Sequence, residues 1–230
     1  TRPLAGDQLI IEYYEPANVK GIPIIDISGI VYMYRSFHDI ESPETKSTAS
    51  GSCEVNINCE EGQNWQRQKQ GAIKFLTKIG SSTFFCSGVV VNNTLQDFSG
   101  LILTAGHCSE GNGKVATADD YAHWIIYFNY ERPGCSNTGV PAQLSLVGVE
   151  KLATSANLPD VGSDFLLLRS LKSIPAKYNA FYCGWDAGNT NSTFGVCIHH
   201  PDGDYKKVST YSSPQVSATS GTTPATHCQA

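Results

Sequence analysis

The residues best suited to chemistry in this chain are His107 and Asp164. His107 follows an apolar run, Leu101 to Leu103, and the small-residue turn Thr104-Ala105-Gly106, and Cys108 comes immediately after it. That order predicts a strand that ends by presenting one imidazole at a fixed place, with a disulfide anchoring the next residue. An imidazole so placed can carry a proton near neutral pH. It needs a carboxylate to fix its tautomer and to stabilise the imidazolium. Asp164 stands where the turn Gly162-Ser163 enters the apolar run Phe165 to Leu168, so its carboxylate is expected at the mouth of a buried strand. A carboxylate there is costly unless paired, and His107 would pair it. The plainer readings are a core histidine capping a strand and an aspartate that accepts backbone hydrogen bonds at a strand entry.

A histidine paired with a carboxylate can activate a nucleophile such as a serine hydroxyl. A Gly-x-Ser-Gly element would let backbone N–H groups hold an oxyanion. After Asp164 only Ser220 precedes a glycine, and Ala218 stands where the first glycine of such an element should be. Within residues 1–230 the sequence therefore offers two of three groups.

The chain has 230 residues, 40% of them hydrophobic and 16% charged, which fits a globular fold of one large or two small domains. A formal charge of −5 and scattered Lys and Arg argue against nucleic acid as a partner. No window approaches the roughly 18 apolar residues that span a bilayer. Eight cysteines with no C-x-x-C spacing point to disulfides in an oxidising, extracellular compartment rather than to a zinc site. No metal or organic cofactor is expected. His199 and His200 would point to opposite faces of a strand and so could not readily share an ion.

The elements that must position these groups are mostly strands. Strand-like runs cover Asp7 to Tyr14, Ile22 to Tyr34, Ala72 to Ile79, Thr83 to Val91, Gly100 to Leu103, Ala122 to Tyr130, Ala142 to Leu152 and Phe165 to Arg169. Turn residues separate them, and the one helical candidate is Trp65 to Lys74. Residues 38–52 lack large apolar side chains after Ile40 and read as an exposed linker. The tyrosines before it, Tyr13, Tyr14, Tyr32 and Tyr34, are expected to pack onto the body that follows.

From Gly51 onward the chain resembles the lysyl endopeptidase branch of the trypsin-like serine proteases of secreted bacterial enzymes. The resemblance rests on Gly51-Ser52-Cys53, Phe85-Cys86-Ser87-Gly88, Leu103-Thr104-Ala105-Gly106-His107-Cys108, Ser163-Asp164-Phe165, Gly184-Trp185-Asp186 and Ile198-His199-His200-Pro201. It implies an all-β, chymotrypsin-like double β-barrel whose second barrel is incomplete here, preceded by a β-rich propeptide tail. The implied division is 1–50 for the propeptide remnant and linker, 51–172 for the first barrel, and 173–230 for part of the second. It also implies a polypeptide substrate, with His107 as general base, Asp164 as its orienter and a nucleophilic serine beyond Ala230. A C-terminal segment or second chain would complete the barrel. The rival expectation is a non-catalytic relative that offers its cleft to a protein partner.

The same resemblance pairs Cys86 with Cys108 and Cys59 with Cys135, and places the partner of Cys53 downstream of residue 230. Cys183 and Cys197 have no counterpart in it. Their spacing across residues 189–191 suits a hairpin pair, which leaves Cys53–Cys228 as a further possible bridge.

Overall fold

The computed structural model describes residues 8–19, 21, 24–25, 27, 30, 50–51, 53–139, 141–142, 144–155, 163–188, 190–214, 216–220 and 223–229, the last two segments by backbone alone. Seven strands form one antiparallel sheet: β2 (Ala72–Ile79), β3 (Ser82–Val91), β4 (Leu101–Ala105), β7 (Ile125–Phe128), β8 (Leu144–Val147), β9 (Val149–Thr154) and β10 (Phe165–Ser170). Their spatial order is β8-β7-β2-β3-β4-β10-β9. The two edge strands, β8 and β9, are separated in the chain by Gly148 alone. A sheet whose first and last strands are joined by one residue must curl round on itself. Gly148 makes the corner with φ +96°, a left-handed conformation that favours glycine. Its N–H donates to Trp124 O and its own carbonyl accepts from Leu171 N–H.

The period of two along each strand sorts side chains between two layers. Ile73, Phe75, Ile126, Phe128, Val90, Ile102, Leu166 and Leu168 fill the inside of the curl around Trp124. Trp124 keeps its indole N–H satisfied on Lys78 O at 3.0 Å. The alternate residues of β2 and β7, Leu76, Ile125 and Tyr127, face outward and are buried with Tyr130 and Tyr205 in a second cluster. What covers that outer face is a three-stranded sheet, β1 (Val55–Asn56), β12 (Lys207–Tyr211) and β11 (Gly195–His199), in the order β1-β12-β11. Two short strands, β5 (Glu110–Gly111) and β6 (Lys114–Val115), pair with each other, as do β13 (Val216–Ser220) and β14 (Thr223–Gln229).

Several expectations are corrected. Trp65 to Lys74 is not one helix: 3-10 turns at Glu60–Trp65 and Gln68–Gly71 lead into β2. Lys69 is drawn out of any helical face by Asn58 and Glu131, so tertiary contacts override local propensity. The run Ala122 to Tyr130 opens with the end of a short helix, α1 (Ala118–Ala122). Thr117 and Asp120 form its capping box, which the sequence reading did not use. The run Ala142 to Leu152 is two strands broken at Gly148. Residues 8–19 have no regular structure, and Tyr13 and Tyr14 are 49% and 80% exposed rather than packed. No described strand lies beside residues 8–14 to complete their hydrogen bonding. Tyr32, Tyr34 and residues 31–49, which include most of the expected linker, lie outside the described residues.

Candidate active site

His107 is positioned by the end of β4. The strand stops at Ala105, and residues Gly106–Ser109 make one 3-10 turn closed by Ser109 Oγ donating to Gly106 O at 2.7 Å. β4 pairs with β10 in a register that sets Ala105 opposite Phe165. The next residue outward on each strand is therefore Gly106 facing Asp164, and Gly106 N–H donates to Asp164 O at 3.0 Å. Residues 57 positions apart in sequence thus meet at one end of an antiparallel pair.

Asp164 reaches the imidazole through an unusual backbone. Its φ of +45° lies in the left-handed region, which aspartate tolerates better than most residues. From there Oδ1 accepts His107 backbone N–H at 2.9 Å, and Oδ2 lies 2.7 Å from His107 Nδ1. Both carboxylate oxygens are therefore committed to one residue. An ionised carboxylate can only accept, so Nδ1 carries the proton and Nε2 keeps a lone pair for an incoming proton. Among the described residues no hydrogen bond reaches Nε2. The side chains of His107 and Asp164 are 67% and 41% exposed. This corrects the expectation of a buried carboxylate: the pair sits at the rim of the sheet, where the ladder ends, and orientation rather than burial holds it.

The entry of β10 is fastened on its other side. Phe165 N–H donates to Ser155 Oγ at 3.1 Å, Ser155 N–H donates to Phe165 O at 3.0 Å, and Thr154 Oγ1 donates to the same carbonyl at 3.0 Å. Sequence reading missed Thr154 and Ser155, because nothing local to residues 154–155 marks them as neighbours of Asp164.

The histidine turn is tied to β3 by a disulfide between Cys86 and Cys108, and a second disulfide joins Cys59 to Cys135. Cys86 Sγ, Cys108 Sγ and His107 cluster within 4.8 Å, a grouping that resembles a ligand set. Two of its three members share a covalent S–S bond, so no thiolate is there to bind a metal. Cys183 and Cys197 are both free thiols, and the hairpin pairing expected for them is corrected. Cys183 docks alongside β3, bridging Val91 in parallel, whereas Cys197 belongs to β11 in the other sheet. Burial pushes both thiols up from the usual cysteine value, with Glu54 adding to the effect at Cys197. Cys53 is a free, exposed thiol, and the side chain of Cys228 lies outside the described residues. The side chain of Ser220 does too; its backbone lies on β13 opposite Thr223.

His199 and His200 diverge as the strand period requires. His199 Nε2 lies 3.7 Å from Glu54 Oε2, while His200 is 3% exposed and its Nδ1 lies 3.0 Å from Asp204 O. Burial, with the positive charges of Lys206 and Lys74 nearby, holds His200 well below the usual histidine value. It is a neutral structural imidazole, and Nδ1–H is the donor to Asp204 O.

Comparison with known proteins identifies the family. The family model described as lysyl endopeptidase, C-terminal domain, matches residues 47–229. A lysyl endopeptidase of Pseudomonas aeruginosa is 30% identical over 224 residues, covering 94% of this chain and 45% of that protein. The chain thus spans less than half the length of that relative. Among solved structures, a thermostable serine protease from an extremophilic microorganism aligns with TM-score 0.43 and 17% identity, covering 69% of this chain and 77% of that one. A scabies mite inactivated protease paralogue aligns with TM-score 0.39 and 15% identity, covering 63% and 60%. These structural likenesses are too slight to carry an argument; the family match covers most of the chain. The chain belongs to the lysyl endopeptidase C-terminal domain family.

Proposed function

We propose that this chain carries the general base and its orienting carboxylate of a secreted serine endopeptidase. The observation that carries the reading is the double grip of Asp164 on His107, one oxygen on the backbone N–H and one on Nδ1. The backbone contact holds the carboxylate against the histidine turn and the Nδ1 contact fixes the tautomer, an arrangement suited to a general base. In this reading Nε2 takes the proton of a serine hydroxyl as it attacks a peptide carbonyl, and His107 returns it to the leaving amine. Asp164 keeps its charge throughout and stabilises the imidazolium. Acyl transfer to water by these groups calls for no cofactor.

The nucleophile and the oxyanion donors come, in this proposal, from the part of the whole protein C-terminal to residue 230. That part would also complete a second barrel begun by residues 173–230, and residues 1–50 would be a propeptide remnant with its linker. The two disulfides support an oxidising compartment. Among the described residues no helix is long and apolar enough to cross a membrane. The relative's name makes lysyl peptide bonds the first substrates to assay.

An organophosphate probe tests the reading. In the whole protein it should label one serine outside residues 1–230, and residues 1–230 alone should show neither labelling nor peptidase activity. Labelling within this chain, at Ser220 for instance, would overturn the origin of the nucleophile. No labelling of the whole protein would favour a non-catalytic binding role.

A further inference from the structure

A buried trio beside β1 and β12 is not used by the proposed mechanism. Asn56 on β1 and Lys207 on β12 are direct cross-strand partners, and they are 4% and 2% exposed. Lys207 Nζ donates to Asn56 Oδ1 at 2.7 Å and lies 3.4 Å from Asp204 Oδ2, on a residue itself 4% exposed. The amide of Asn56 is fixed in its plane: Nδ2 donates to Cys135 O at 2.8 Å and to Asn137 Oδ1 at 2.7 Å. Cys135 is in turn bonded to Cys59, three positions after Asn56. Asp204 is also held, by Ser50 Oγ donating to Oδ2 at 2.5 Å and by Tyr205 N–H donating to Oδ1 at 2.7 Å.

An amine that reaches a carboxamide on one side and a carboxylate on the other, shielded from water, brings together the reactants and the proton carrier of an amide exchange. We infer that Lys207 and Asn56 are the site of a spontaneous intramolecular isopeptide bond, with Asp204 as its proton shuttle. Lys207 first passes a proton to Asp204, which frees the amine lone pair without changing the net charge of the site. Nζ then attacks Asn56 Cγ. As the Cγ–Nδ2 bond breaks, Asp204 gives its proton to the departing nitrogen and takes one from Nζ. The products are the Cγ–Nζ amide, a protonated Asp204 and one ammonia. Nothing is oxidised or reduced, and no outside reactant enters.

Free amines and amides exchange very slowly. Holding the groups in place can supply effective concentrations of roughly 10⁵–10⁸ M, and burial excludes the water that would compete. The bond would fasten together residues 151 positions apart, making permanent the contact of β1 with β12.

The intact mass of the unaltered chain, reduced and denatured, decides the matter. The expected result is a mass below that of the sequence by one ammonia in most molecules. Digestion should then yield a branched peptide joining the Asn56 and Lys207 segments, and both Lys207→Arg and Asn56→Ala should restore the full mass. The full sequence mass, with separate linear peptides bearing Asn56 and Lys207, would overturn the proposal whether or not the variants fold. So would an ammonia loss confined to one linear peptide, such as a succinimide at Asn112-Gly113.

Discussion

The rim of the curled sheet and the layer beneath its outer face handle charge in opposite ways. At the rim, His107 and Asp164 are 67% and 41% exposed and are aligned by backbone: a strand register, a turn and one left-handed residue. In the layer, Lys74, Lys206 and Lys207 are at most 2% exposed and are aligned by each other's partners. Lys206 Nζ reaches Glu131 Oε2 at 3.1 Å and Lys69 O at 2.7 Å, while Lys69 Nζ takes Glu131 Oε1 at 2.6 Å. Lys74 donates to Gly203 O and lies over the rings of Tyr130 and Phe85, 4.1 and 4.2 Å from their centroids. The contrast lies in what each arrangement costs. An exposed pair loses little hydration and contributes little to folding, so it is free to be shaped for reaction. A buried network costs much to form and collapses if one member is lost.

The largest stability effect should come from breaking the layer. Glu131→Ala strands two ammonium groups, and unfolding in urea should show a loss of about 3–5 kcal/mol. A loss below about 1 kcal/mol would erase the contrast with the rim. Next, replacing Cys86 and Cys108 together by alanine removes a cross-link over 22 positions, with an expected cost of about 3 kcal/mol in thermal unfolding. Hydrogen exchange should speed up first at residues 106–109 if that bond is what pins the histidine turn.

Smaller effects sharpen the picture. Asp120 caps α1 and also accepts from Lys78 Nζ at 2.6 Å and Gly80 N–H at 3.0 Å. Burial alone would raise its carboxyl, but the hydrogen bonds from Lys78, Thr117 and Gly80 outweigh it and hold Asp120 well below the usual range. Asp120→Ala should cost about 1–2 kcal/mol at neutral pH. Because the folded value is depressed, the difference between wild type and variant should be full above about pH 4 and shrink as the pH falls below it. His200 gives the smallest effect. Its folded value lies below the unfolded one, so the unfolded chain binds the extra proton and stability falls as pH drops through about 6.5. Chemical denaturation at about pH 7 and about pH 6 should differ by less than about 1 kcal/mol from this source, and a His200→Gln variant should lose that part of the slope.

Much of this was legible in the sequence, for identifiable reasons. The run Ala72 to Ile79 is β2 to the residue, because its alternating Ile73, Phe75 and Ile79 all point into the curl. The meeting of His107 with Asp164 was legible because each stands at the end of an apolar run, and antiparallel runs bring such ends together. The positive φ of Asp164 was not, since no glycine marks it. Nor was the burial of Lys206 and Lys207, whose partners Glu131 and Asn56 lie 75 and 151 positions away. Long-range ionic partners leave no local pattern. The free thiols of Cys183 and Cys197 were misread because spacing alone cannot tell a hairpin from two segments bound to different sheets.

The most direct test is Asp164→Asn in the whole protein, reading kcat/KM on a lysyl peptide substrate beside the free energy of unfolding. The amide would still accept His107 N–H but would offer an N–H to Nδ1, forcing the proton onto Nε2 where the lone pair is needed. A general-base role for His107 predicts a loss of about 10⁴-fold in kcat/KM with stability changed by less than about 1 kcal/mol. Unchanged activity, or an activity loss matched by a comparable loss of folding, would contradict it.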